Sequence, residues 1–392
     1  FTEQNRIPGF YFLNITAAGR YLNIEPGGSK TVPQFGVKWQ PLDKQFTLRG
    51  SYSEGFTAPT IYSLFGAPSV SNPTLLLPNA GTPLGSTDPN DYQSGQVQTT
   101  TYANPNLIPA TSKQWNAGIV ISPDFAKGFT ISVDYYNVKE NNIPIADPVA
   151  ASKSLNSLGS ASPYAAGFSF FDGSKLATTA PNQVDVNNWG NLNYALLPGG
   201  AVKTDGLDLI LSYVLPIPEP EKVGKFTLTA NANWIFNYEF QNDPTLPYYQ
   251  YKGQYTSGWG GSQGMIPDFS IDTALTWEIQ NFTYIVSANY LPAVSDPGFL
   301  FPYVGAPVQG STVDGATWNI PSYYTISMQL AYEFGKSKVT KDWYDGTTLR
   351  VGCNNISNHA PPLVAGAVED NTDKNVYDIV GRFIYFELAK KF

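Results

Sequence analysis

The stretch FTLTANANWIFNYEF, residues 226–240, decides the fold. Phe226, Leu228, Ala230, Ala232, Trp234, Phe236, Tyr238 and Phe240 alternate with Thr227, Thr229, Asn231, Asn233, Ile235, Asn237 and Glu239. A period of two over this length predicts a β-strand with one apolar and one polar face. Soluble strands usually stop near five or six residues, whereas a tilted strand that crosses a bilayer needs about 9–11. The segment is long enough to cross. Trp234, Tyr238 and Phe240 fall toward one end, where an aromatic girdle at the membrane interface is expected.

The same alternation recurs on either side. Residues 269–279 set Phe269, Ile271, Leu275, Trp277 and Ile279 against Ser270, Asp272, Thr276 and Glu278, and residues 324–334 set Ile326, Met328, Leu330, Tyr332 and Phe334 against Thr325, Ser327, Gln329 and Glu333. Shorter versions lie at 35–39, 46–52, 115–121, 129–135, 207–215, 282–290, 349–353 and 384–388, and a first strand lies near 11–24. The total is about twelve strands. No segment longer than about ten residues carries a convincing helical period.

The connections alternate in length. Short ones are expected at 41–44, 123–128, 216–224, 280–281 and 335–346, and long ones, rich in Pro, Gly, Ser and Asn, at 58–110, 144–202, 241–267, 292–320 and 358–378. Short turns on one side and long loops on the other are the pattern of a bacterial outer-membrane barrel. A soluble all-β propeller or sandwich is the competing architecture. Its strands would be shorter, it would show a repeat of about 40–50 residues, and it would leave the alternating loop lengths without a cause.

Composition agrees with a barrel. Aromatic residues make up 14% of the 392 and charged residues also only 14%, yet mean hydropathy is −0.20 and no apolar run is long enough for a membrane helix. Barrels hide their hydrophobicity by alternation, because every second residue faces a polar lumen. The net charge of −8 supplies no basic field for a phosphate backbone, which argues against nucleic acid. Cys353 has no partner for an intrachain disulfide and, within a strand pattern, is expected to be a small buried apolar residue.

Five segments, in chain order, resemble TonB-dependent receptors of Gram-negative bacteria. They are residues 46–59 (FTLRGSYSEGFTAP), 104–112 (NPNLIPATS, with Ala110 where Glu is usual), 129–138 (FTISVDYYNV) and 203–213 (KTDGLDLILSY, with Asp208 for Glu). The fifth is the C-terminus, where LRVGCNNIS at 349–357, Pro361, Pro362, Tyr377, Asp378, Gly381 and Arg382 precede a strand ending in Phe392. The resemblance implies an all-β fold, a transmembrane antiparallel up-and-down β-barrel in the cell outer membrane. It implies that residues 1–392 are the C-terminal part of a barrel of about 22 strands, with the plug, the TonB box and the first strands outside this chain. The implied function is ligand binding and active uptake. The implied partners are outer-membrane lipid, the TonB energy-transducing complex through the missing N-terminal part, and the assembly machinery, which reads Phe392 as its signal. Lys390 stands where that signal more usually has an apolar residue. A passive porin-like channel and a surface scaffold holding protein partners through its loops remain as alternatives.

Chemistry of the catalytic kind is not expected. The one histidine, His359, lies in NNISNHAPP without a serine elbow and reads as a solvated loop residue. One His and one Cys do not make a zinc or iron centre, the acidic run Glu369, Asp370, Asp373 and Asp378 lacks the spacing of a calcium loop, and GWGGSQG at 258–264 lacks the Lys-Ser/Thr of a phosphate loop. No cofactor is implied. Arg49, Glu54, Asp134, Glu278, Glu333, Arg350 and Arg382 are expected to wet the lumen wall. The candidate ligand-binding residues are loop aromatics: Trp189, Tyr248, Tyr249, Tyr251 and Trp259, with Tyr255, Phe168, Phe170 and Phe171 nearby. Few basic residues accompany them (Lys153, Lys175, Lys203 and Lys252), which favours a neutral or carbohydrate-like ligand, or a docking protein, over a strongly anionic one.

Overall fold

The computed structural model describes residues 7–25, 28–79, 86, 88–169, 190–256, 264–296, 318–335, 343–364, 367 and 371–391. Twelve long strands run through it in chain order, each antiparallel to the next. They are β1 (Phe12–Ile24), β2 (Gly28–Gln40), β3 (Phe46–Thr57), β4 (Ala110–Ile121), β5 (Phe129–Ile145) and β6 (Leu197–Val214). After them come β7 (Lys225–Gln241), β8 (Phe269–Ile279), β9 (Phe282–Leu291), β10 (Tyr323–Glu333), β11 (Thr347–Asn354) and β12 (Phe383–Lys390). The twelve expected strands are therefore present, as an up-and-down sheet whose two edges are β1 and β12. β5, β6 and β7 run to 17, 18 and 17 residues, beyond what alternation alone predicts. Their loop-side halves still pair, from Leu197 opposite Ile145 onward, because a backbone ladder needs no apolar face once both sides meet loops or water.

Alternation sorts the side chains. Phe35, Trp115, Leu228, Leu275, Leu330, Val351 and Phe386 all project from one face and are more than a third exposed, a load of open apolar surface that suits lipid and not water. The opposite face is concave. Arg49, Asn116, Asp134, Asp208, Asn233 and Asp272, from strands β3 to β8, line a cavity of about 770 Å³ on it. On the outer face, aromatic side chains gather in two belts. Near the long loops Trp115 meets Tyr135 at 5.1 Å, and Phe269 meets Trp234 and Tyr290, each at 5.9 Å. Near the short turns Phe129 meets Tyr213 at 5.8 Å, Phe226 meets Trp277 at 5.8 Å and Phe282 meets Tyr332 at 4.7 Å. Phe269 and Trp277 on β8 mark the two belts, separated by about 26 Å of strand at about 3.3 Å per residue. Allowing for tilt, the spacing fits an apolar band of about 25 Å or slightly less.

One expectation about residues 226–240 is corrected. The ladder between β6 and β7 skips Phe236: Gly206 faces Ile235 while Asp205 faces Asn237. An extra residue exchanges the faces of everything beyond it. Tyr238 and Phe240 therefore leave the girdle face and turn inward, Phe240 becoming buried, and Asn237 and Glu239 take their places outside. Phe236 stays in the girdle, stacked on Tyr135 at 6.4 Å. Glu54 is also misassigned as a lumen charge. It shares a face with Tyr52, whose phenol donates to it at 2.8 Å, and with its register partner Lys113.

The inner wall is tied together across glycines. Arg49 on β3 reaches over β4 to Asp134 on β5, Nε to Oδ1 at 2.7 Å, and also donates to Ser132 Oγ at 2.9 Å. The residue in register between Arg49 and Asp134 is Gly118, where a Cβ would lie 1.9 Å from Asp134 Oδ1. Tyr136 passes in the same way over Gly206 to Asn233, 3.2 Å, and Tyr385 over Gly352 to Gln329, 2.9 Å.

The described parts of the long loops are folded, not structureless. From the described parts of the first two long loops, Leu75, Leu77, Val97, Leu155, Phe168 and Leu192, among others, build one core. The three later loops build a second from Tyr255, Met265, Val294, Ile320, Val364 and Tyr377. An 11-residue helix, Pro148–Leu158, contradicts the expectation of no such helical segment. Its signal was at its start, where Asp147 accepts from the N–H groups of Val149 and Ala150 and Pro148 takes the first turn. His359 is likewise not simply solvated. Its Nδ1 bonds Tyr324 O at 2.9 Å and its ring packs between Tyr323 and Tyr324. Cys353 is half-buried, not buried.

Candidate functional site

The aromatic loop residues expected to meet ligand fall into three groups. Trp189, Trp259, Phe170 and Phe171 lie outside the described residues, as does the terminal Phe392. Phe168 and Tyr255 are buried at 1% and 6% exposure in the two loop cores, so they hold the loops together and do not face a ligand. Tyr248, Tyr249 and Tyr251 remain.

These three follow β7 through a tight turn in which Leu246 N–H donates to Asp243 O at 3.0 Å. The chain then folds back, placing Tyr249 opposite Phe240 and Gln250 opposite Glu239. Successive side chains of an extended segment point to opposite sides. Tyr249 and Tyr251 therefore share the inward side with Phe240, against which Tyr251 packs edge-on at 6.4 Å; burial pushes the Tyr251 phenol up to about 12. Tyr248 goes to the other side. Lys203 Nζ sits 3.3 Å from its ring centroid, and the same ammonium is 3.8 Å from the Glu239 carboxylate. The structure thus divides what the sequence grouped: Tyr249, 38% exposed, is the open aromatic on the inner side, with Lys153 Nζ 5.6 Å from its ring.

A buried polar network fixes this segment, and sequence reasoning missed it. Asp243, fully buried, accepts from Thr245 N–H at 2.7 Å and from the hydroxyls of Thr245 and Tyr164. Ser154 on the loop helix bonds Ser162 and Thr245, each at 2.9 Å, and Asn242 Nδ2 donates to Asp147 at 2.7 Å. The local signal was the Asp243-Pro-Thr245 turn, which offers a carboxylate to the backbone two residues on. The long-range half has no local signal, since Ser154 and Thr245 are 91 residues apart.

Burial holds Asp147 well above the usual carboxylate range, at about 6, despite its three hydrogen bonds. The folded carboxyl binds its proton more tightly than the unfolded one. Its contribution is complete below about pH 4 and is lost as pH rises through about 6. Hydrogen exchange of helix Pro148–Leu158, corrected for intrinsic rates, should show local opening on the order of tenfold rarer at pH 4.5 than at pH 7.5. Asp147→Asn should flatten that dependence. An unchanged slope in the variant would remove Asp147 as its source.

Comparison with known proteins gives a consistent picture. The profile of the family described as TonB dependent receptor-like, beta-barrel matches residues 8–356. No curated protein matches the chain in sequence. Among solved structures, the siderophore receptor PirA from Acinetobacter baumannii is similar at a TM-score of 0.58 and 15% identity, over 96% of this chain and 43% of that one. A double mutant of the ferric enterobactin receptor PfeA from Pseudomonas aeruginosa gives 0.57 and 13%, over 97% and 42%. A single mutant of the same receptor in complex with enterobactin gives 0.58 and 14%, over 98% and 43%. At such identities the likeness shows the fold alone. The chain spans about two fifths of the length of these receptors.

Proposed function

The chain belongs to the TonB-dependent receptor-like β-barrel family, and from that premise we propose that it builds the C-terminal wall and mouth of an outer-membrane uptake receptor. The observation that carries this reading is the asymmetry of the two ends. One end closes in short turns, while at the other the loops fold into two packed cores above a polar, concave wall. Such loops hold side chains in place for recognition, which a passive pore does not need. The remaining strands, the plug and the TonB-contact segment belong to parts of the receptor outside residues 1–392.

Tyr249 is the first contact we assign to the ligand, with Tyr251 behind it; Trp189 and Trp259 keep their candidacy from sequence. A neutral or carbohydrate-like ligand suits this mouth. The cations nearest the tyrosines are already engaged, Lys203 by Tyr248 and Glu239 and Lys153 at the Tyr249 ring, so a strongly anionic ligand meets little free positive charge. The neighbouring receptors are described as taking siderophores, and ferric enterobactin is the contrasting probe for the test.

In cells carrying the full receptor, Tyr249→Ala should weaken surface binding of a neutral oligosaccharide about three- to tenfold, as expected for loss of one aromatic contact. Uptake should stop without TonB. Binding unchanged by Tyr249→Ala removes the site, uptake that survives loss of TonB supports a passive channel, and capture of a protein without small-molecule uptake supports a scaffold.

A further inference from the structure

Glu54, Lys113, Lys139, Lys203 and Glu239 stand side by side on β3 to β7, each the register partner of the next. They lie on the outer face, on the loop side of the girdle. The same-face neighbours one step toward the membrane are Tyr52, Trp115, Asn137, Asp205 and Asn237, themselves in register.

Three lysines opposed across neighbouring strands is an arrangement that costs stability, because like charges directly opposite repel. The acids around them do not cancel it. Glu54 is shared between Lys113 at 4.0 Å and Lys30 at 3.9 Å, and Glu239 pairs with Lys203 at 3.8 Å. Asp205 is held by Tyr135 OH at 3.0 Å and Asn237 Nδ2 at 2.9 Å. Lys139, exposed in the centre, has no ion-pair partner among the described residues. Strands lie about 4.8 Å apart, so the ammonium groups of Lys113 and Lys139 can meet on one anion, with Lys203 at its flank. An anion there turns the repulsion into attraction. The level is that of the lipid headgroups, since the row stands just beyond an aromatic girdle.

We propose that Lys113 and Lys139 bind the headgroup phosphate of an outer-leaflet lipid, clamping the barrel wall to the membrane between β4 and β5. The proposal rests on the reading of this face as membrane-facing. It concerns the wall and not the ligand mouth.

The test uses the full receptor in neutral detergent micelles doped either with a phosphorylated glycolipid of the outer leaflet or with phosphatidylcholine. Bound lipid is counted by native mass spectrometry. Each lysine near an anionic surface contributes about fivefold in affinity, so K113Q/K139Q should lower glycolipid binding roughly 30-fold, while K113R/K139R retains it. The glycolipid should raise the thermal midpoint of the wild type and leave that of K113Q/K139Q unmoved. Equal glycolipid binding by wild type and K113Q/K139Q overturns the proposal, and so does inorganic phosphate binding as tightly as the glycolipid. If the wild-type receptor lacks heat-modifiable gel mobility, the membrane-barrel reading itself fails. Intact mobility with unchanged lipid binding sinks the lysine row alone.

Discussion

Leu275→Arg should keep the receptor out of the membrane, whereas Thr276→Arg, one residue along β8, should insert and run like the wild type. Leu275 projects from the apolar face at 40% exposure, in register with Leu228 on β7 and Val286 on β9. Thr276 points to the polar side with Thr227 and Ile285. An arginine on the lipid face costs about 2–4 kcal/mol at the midplane and about 0–1 at the interfaces. Leu275 lies between the midplane and the Trp277 belt, so the cost there is about 1–3 kcal/mol, while the same residue in a wet lumen costs little. Since native proteins are stable by only about 5–15 kcal/mol, the difference is enough to separate inserted from non-inserted chains during assembly. Heat-modifiable mobility and protease resistance in vesicles read it out. Two variants that behave alike, in either direction, would show that the faces of β8 are wrongly assigned. Phe386 on the edge strand β12 is 68% exposed on the same face, opposite Val351, and Phe386→Asp should act in the same sense but less strongly, because acidic residues cost less there.

The faces of β8 could be read from the sequence because nothing interrupts its alternation. Those of β7 could not be read to the end. The trio Trp234-Ile235-Phe236 puts three apolar residues in a row, which marked the break, but only the register with Asp205 and Gly206 shows which residue the ladder skips. Tyr249 and Tyr251 stay together on the inner side, while Tyr248 parts from them, because the back-folded segment Tyr249–Gln250 obeys the two-residue period and sends it outside. The loop cores were invisible for a different reason. Phe168 and Tyr255 look like surface aromatics in a loop of polar residues until partners from other loops cover them. The in-register lysine row is of the same kind: Lys113, Lys139 and Lys203 are unremarkable singly, and their opposition exists only once three strands are aligned.

Gly118→Val is the substitution on which local propensity and tertiary packing disagree in sign. Valine favours strands and glycine weakens them, a difference of up to about 1 kcal/mol in favour of the variant. Packing opposes it. A Cβ at this position falls 1.9 Å from Asp134 Oδ1 and 3.1 Å from Val133 O, so the carboxylate must swing away and release the Arg49 guanidinium. Hydrogen bonds between charged groups contribute about 1.5–3 kcal/mol, and Arg49 is 44% exposed, so screening reduces the loss. Strain at the new side chain adds to it, and the net expectation is a destabilisation of about 1–2 kcal/mol, visible as a lower unfolding midpoint of the refolded barrel. In the Asp134→Ala background the bridge is already gone and much of the clash with it, so Gly118→Val should then cost little or become stabilising. The cycle isolates the bridge from general crowding. If Gly118→Val stabilises the otherwise unaltered barrel, the wall does not depend on side chains reaching across glycines. The parallel crossings of Tyr136 over Gly206 and Tyr385 over Gly352 would then lose their standing as ties between strands that are not neighbours.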